Sequence, residues 1–101
     1  MGMEHTDDQY TDYERRVMAA FHTVREASGA HQIALSVAAG MGRNQVGRYE
    51  RLERHANLGD LERLLDAISR TAPRRVSVAT VYDLLAYAEG KVELGVQERG
   101  E

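Results

Sequence analysis

Cysteine is absent from the 101 residues, proline occurs once, and no apolar run is long. Without cysteine there is no disulfide framework, no thiolate zinc site and no cysteine nucleophile. A chain of this length buries roughly two-thirds of its unfolded surface, so a modest core can hold it without such staples. No uninterrupted apolar stretch approaches the roughly 18 residues of a membrane span. The start, MGMEHTDDQY, lacks the basic-then-apolar order of a signal peptide, so no membrane partner and a cytoplasmic setting are expected. The chain also lacks a phosphate-cradling glycine motif, a Gly-x-Ser-x-Gly and an isolated carboxylate pair in an apolar segment, so no enzymatic activity is expected. Its four histidines, at 5, 22, 31 and 55, are not spaced as a helical ligand pair beside an acid, which argues against a metal or any other cofactor.

The net charge of −3 does not suggest a partner for a polyanion. Its distribution does. Residues 1–14 hold five acids and no base (−5), residues 15–75 hold eleven arginines against six acids (+5), and residues 76–101 hold two bases against five acids (−3). A basic middle between acidic ends hints at nucleic-acid contact that the total conceals.

The single proline and the scarcity of alternating β-branched runs argue against a sheet, whereas helical spacing recurs throughout. Tyr13, Val17, Ala20, Phe21, Val24 and Ala27 form one stripe on a helix over 12–28, closed by Gly29. A short segment over 32–39 stops at Gly40, and a third helix follows over 43–51 with Val46 facing inward. Asn57 reads as the N-cap of a helix over 58–70 that buries Leu61, Leu64, Leu65 and Ile68 before Pro73 ends it. Ser77 can cap a fifth helix over 77–89. The expected architecture is therefore an all-α, five-helix domain over 12–90, with a flexible acidic tail at 1–11 and another at 91–101.

The fifth segment, VSVATVYDLLAYAE, is apolar on nearly every side. In so small a domain this implies burial beyond its own chain, so Val78, Val81, Tyr82, Leu85 and Tyr87 are the expected faces of a homodimer. Folding back of residues 91–101 over the helix is the other way to cover it.

Two short helices joined by a glycine-containing turn, here Gly40-Met41-Gly42, make a helix-turn-helix, whose second helix enters the major groove of DNA. Ala39 and Gly40 are small enough to let the helices approach, and Val46 is placed to plug the wedge. The run Gln32-x-x-Leu35-x-x-x-Ala39-Gly40-Met41-Gly42-x-x-Gln45-Val46-x-x-Tyr49-Glu50, continuing through Leu58, Leu61, Leu64 and Ile68, resembles without a gap the Cro/C1-type (Xre-like) helix-turn-helix domain of phage repressors, bacterial regulators and antitoxins. Its segment 41–47 is particularly similar to lambdoid phage repressors.

The resemblance implies a compact lambda-repressor-like domain and assigns roles. Arg43, Asn44, Gln45 and Arg48 take the base-reading positions. Arginine can bond guanine, and asparagine or glutamine adenine, through two hydrogen bonds each. Gln32, at the start of the second helix, takes the position that reaches a phosphate, with His31 beside it. Gly47 would permit close approach to DNA, and Arg51, Arg54 and His55 would grip the backbone. Arg25 and Glu50 take the positions of a buried structural ion pair. The chain departs from the pattern at Gly42, where a capping Ser or Thr is common, at Leu52, where glycine often ends the third helix, and at Ala56, where proline is common. These departures leave the path of 52–56 open.

The function so implied is a sequence-specific transcriptional regulator that binds double-stranded DNA as a dimer, a repressor of phage (immunity-like) or bacterial origin found on the nucleoid. An antitoxin that neutralises a toxin partner, or a protein-interaction module on the same fold, are the alternatives.

Overall fold

Thr11 opens the first helix by accepting from the Glu14 N–H while the Glu14 carboxylate accepts from the Thr11 N–H, so two otherwise orphaned donors are satisfied reciprocally. The computed structural model describes residues 9–99. Five helices follow that opening: α1 (Asp12–Ser28), α2 (Gln32–Ala38), α3 (Gln45–Glu50), α4 (Leu58–Thr71) and α5 (Val81–Ala88). Gly29, at φ +83°, closes α1 in the left-handed conformation that glycine adopts without a steric penalty. Asn57 and Asp60 form the same reciprocal cap at the start of α4.

The apolar stripes converge on one core. Phe21 and Val24 from α1, Leu35 from α2, Val46 from α3, Leu64, Leu65 and Ile68 from α4, and Leu84 from α5 are all fully buried within it. Burying a side chain of this size contributes about 1.5–3 kcal/mol. α1 lies against α3 and α5, and α2 against α3 and α4, so the short helices α2 and α3 are held on a platform made by the two long ones.

The C-terminal third departs from the all-helical expectation. Strands β1 (Arg74–Val76) and β2 (Val96–Glu98) pair antiparallel, with Val76 opposite Val96 and Arg74 opposite Glu98. Ser77 extends the pairing: its N–H donates to the Gly95 carbonyl at 2.9 Å, and its hydroxyl accepts from the Gly95 N–H at 2.8 Å. Arg99 then reaches back to the end of α4, donating to the Ala72 and Ser69 carbonyls at 2.8 Å each. Residues 91–99 are thus part of the folded body rather than a tail. Ser77, committed to the strand pair, does not cap α5; Thr80 does, in a third reciprocal cap with Asp83.

At the other end, Tyr10 is buried and its ring stacks on His55 at a centroid distance of 4.0 Å, so the first helix is preceded by packed chain. The rest of the expected acidic N-terminal tail, residues 1–8, lies outside the described residues, as do residues 100–101.

The apolar surround of α5 is covered from within. Val78 is 2% exposed and Leu84 fully buried, while Val81, Leu85 and Tyr87 are half-buried against the same core. Of the five residues expected at a dimer face, only Tyr82, at 80%, stands free. A helix of two turns set against both α1 and α4 needs apolar groups on more than one side, which explains its composition without a second chain. Among the described residues no helix is long and apolar enough to cross a membrane.

Candidate nucleic-acid interface

The turn from α2 to α3 is built by backbone geometry. Gly40 has φ +78°, and the Met41 and Gly40 N–H groups return to the Ser36 and Val37 carbonyls at 2.9 Å each, closing α2 in a Schellman motif. A Cβ added to Gly40 would meet nothing within 4 Å, so glycine serves the left-handed backbone here and not the close helix approach expected of it. That approach belongs to Ala39, which is buried, and Val46 fills the wedge between the helices with no exposure. Ser36, also fully buried, was not expected to act. Its hydroxyl donates to the Gln32 carbonyl at 2.8 Å and accepts from the Val46 N–H at 3.1 Å, linking the first residue of α2 to the first turn of α3.

α3 begins at Gln45, two residues later than its sequence pattern suggests, so Arg43 and Asn44 sit in the turn leading into it. Asn44 is the N-cap residue but makes no side-chain capping bond. Arg43, Asn44 and Arg48 are exposed, and among the described residues neither arginine's guanidinium has a hydrogen bond or ion pair. Gln45 is half-buried, its amide 3.5 Å from the Tyr49 hydroxyl, a contact too long to hold it firmly. Together with Arg54, Asn57 and Arg63 these residues line an open, polar concavity between α3 and the start of α4. Arg63 is spoken for by Asp60 at 2.8 Å; Arg54 is exposed and unbonded.

Gly47 is buried instead of facing outward. A Cβ there would come within 3.1 Å of Arg51 Nη1 and 3.3 Å of Gln32 Oε1, so the glycine lets these two side chains cross over α3. Its expected contact with phosphate is thereby replaced by contact with the side chains that lie above it. Arg51 is exposed and clasps Glu53 through bonds of 2.9 and 3.3 Å, an interaction that lowers the Glu53 carboxyl pKa and raises that of the guanidinium. His31 is exposed at the N-cap of α2, with no capping bond. His55 carries the Tyr10 ring on one face, which removes that face from any backbone contact.

Beneath this surface, Glu50 gathers four donors. Arg25 binds it through two nitrogens, at 2.7 and 3.0 Å, Gln32 Nε2 donates at 2.9 Å, and His22 Nδ1 lies at 2.8 Å. A carboxylate only accepts, so the His22 tautomer carrying its proton on Nδ1 fits this contact. Burial pushes the Glu50 carboxyl up, but the hydrogen bonds from Arg25, His22 and Gln32 outweigh it and hold the pKa below its ordinary value. The expected pair of Arg25 and Glu50 is present, and the wider cluster adds that Gln32 spends its amide on Glu50 while its Oε1 lies over Gly47.

Leu52 ends α3 in the left-handed region, at φ +61°, where a glycine is the comfortable residue. The Glu53 N–H returns to Arg48 and the Leu52 N–H to Tyr49, at 2.8 and 3.1 Å, the same closure as at Gly40. The backbone conformation costs about 1–2 kcal/mol for a residue with a Cβ, offset by the leucine side chain packing against the core.

Elsewhere, a mostly apolar groove runs between the start of α1, the 55–58 loop and α5, lined by Tyr13, Met18, Leu58, Leu61 and Leu85. Among the described residues no group of three or more His, Asp or Glu side chains could hold a metal ion. Comparison of the chain with protein-family models, with curated proteins and with solved structures finds no match.

Proposed function

We propose that the chain is a sequence-specific DNA-binding protein of the Cro/C1-type helix-turn-helix kind, acting as a transcriptional regulator, with repression as its sense. One observation carries the reading. Arg43, Asn44 and Arg48 stand exposed on the turn and helix that such proteins place in the major groove, and neither guanidinium makes a hydrogen bond or ion pair among the described residues. A guanidinium left without an acceptor is suited to a guanine edge or a phosphate. The overall charge of −3 is no obstacle, because this surface lies within the +5 middle segment and the acidic excess lies outside it.

In this proposal Arg43 and Arg48 read bases, Asn44 and Gln45 supply amides to the same groove, and Arg51, Arg54 and His31 meet phosphates. Two copies on a palindrome, their half-sites about one helical turn apart, complete the arrangement, with Tyr82 as the α5 side chain free to meet the second copy.

Selection of bound sequences from random double-stranded DNA tests the reading. A consensus should emerge, Arg43→Ala and Arg48→Ala should each relax it at particular base pairs by about 1–3 kcal/mol, and Arg54→Ala should weaken all sequences alike while reducing the salt slope by about 1. Failure to enrich any sequence, or three variants that behave identically, would sink it.

A further inference from the structure

Two serines in this chain are fully buried, and each hydroxyl bridges two backbone groups. Ser28, at the end of α1, donates to the Arg25 carbonyl at 2.7 Å and accepts from the Ala30 N–H at 3.2 Å, so it acts within one helix terminus. Ser36 does the same across two helices, from the Gln32 carbonyl to the Val46 N–H. The difference matters because α3 lacks the side-chain cap that a helix start ordinarily has: Asn44 makes none, and Gly42 has no side chain with which to make one. The first four N–H groups of a helix have no partner within it, and one left buried and unsatisfied is costly.

We infer that Ser36 is a positioning residue for the reading surface: it caps α3 from the neighbouring helix, and so sets the pitch at which Arg43, Asn44 and Arg48 are presented. The geometry makes alternatives poor. Ser36 and Val46 are both fully buried, so water cannot replace the hydroxyl without opening the wedge. The Gln32 carbonyl fixes the direction of the hydroxyl proton, which leaves an oxygen lone pair aimed at Val46. α3 has only six residues, and a helix so short depends on its ends and its packing for its orientation. The turn between the helices contributes little stiffness, since Gly40 and Gly42 stand in nearly open space.

The inference rests on the DNA-binding reading for its consequence but not for its first test. In the free protein, amide hydrogen exchange by NMR should show Ser36→Ala losing about tenfold or more of the protection at Val46, with shifted resonances from Arg43 to Arg48. Ser28→Ala, which removes the same kind of bond away from α3, should leave Val46 protected relative to the rest of the core. Equal protection of Val46 in Ser36→Ala and the wild type would overturn the inference, whatever the protein does with DNA. The second arm uses the sequence selected by the wild type and its single-base variants. Ser36→Ala should narrow the affinity ratio between them about fivefold to tenfold, and Ser28→Ala should leave the ratio unchanged even if both variants lose stability alike. A folded Ser36→Ala protein with undiminished discrimination would also overturn it. A wild type with no salt-dependent DNA affinity would instead refute the DNA-binding reading, while the Val46 result would still decide whether Ser36 holds α3.

Discussion

Two populations of arginine share this small chain and have opposite relations to it. Arg25, Arg74 and Arg99 are tied inward: Arg25 to Glu50 and the Ala30 carbonyl, Arg74 to the Ala27 carbonyl, and Arg99 to the end of α4. Arg43, Arg48 and Arg54 face outward, and their guanidinium groups make no hydrogen bond or ion pair among the described residues. The same side chain is thus a clamp in one region and an unspent donor in the other. What separates them is the supply of acceptors. The first group sits where helix ends leave carbonyls unpaired or where a buried carboxylate waits. The second sits on the turn before α3, on α3 itself and on the loop after it, where the neighbouring acceptors are already engaged.

The comparison breaks most visibly at Arg25. Arg25→Ala leaves Glu50 buried without its main partner and should cost about 3–5 kcal/mol, read as a lowered urea midpoint by circular dichroism. A loss below 1 kcal/mol would show that His22 and Gln32 alone can hold the carboxylate. Acid attacks the same cluster. Because the folded Glu50 pKa is held below the ordinary 4.5, the pair stabilises the protein fully above that value, and the contribution is lost as pH falls through the lower folded value. The urea midpoint should therefore drop on acidification below about pH 4.5, and Glu50→Gln, though weaker at pH 7, should show a flatter profile. An identical acid slope in that variant would assign the loss to other carboxyls.

Arg99→Ala should cost less, about 1 kcal/mol, since it removes the donor to two neutral carbonyls and not the partner of a buried charge, and the bond to the Ser69 carbonyl lies at the exposed surface where water can replace it. The smallest effect is expected at the outward group. Arg43→Ala and Arg48→Ala should leave stability within about 0.5 kcal/mol of the wild type, because they remove nothing the fold uses. A marked loss of stability in either would mean that the two populations are not distinct.

Much of this was legible beforehand, for physical reasons that differ by element. α1 and α4 were clear because a long stripe at helical spacing and an N-cap residue such as Asn57 are local signals. Arg25 and Glu50 could be paired only through the family resemblance, since nothing in the 24 intervening residues announces that two charges meet. β1 and β2 were missed because three-residue strands have no period to detect, and their pairing joins segments that α5 separates. α5 misleads for a related reason: its apolar surround reads in the sequence as an interface, whereas Val78 and Leu84 lie inside the core. The spacing brings Ser36 within reach of the buried stripe but says nothing of its role. A serine on a buried stripe reads as a small residue, and only the position of the Val46 N–H turns its hydroxyl into a cap.

The strand pair has one more consequence, for the order in which the molecule comes apart. β1 and β2, with the Ser77–Gly95 bonds and the Arg99 latch beyond them, close a loop whose contents are α5. The shut loop tethers the segment that carries α5 at both ends, and α5 in turn anchors the loop through Leu84 in the core. Residues 74–99 should therefore open as one cooperative unit, its amides exchanging with hydrogen at a common free energy below that of α1 and α4.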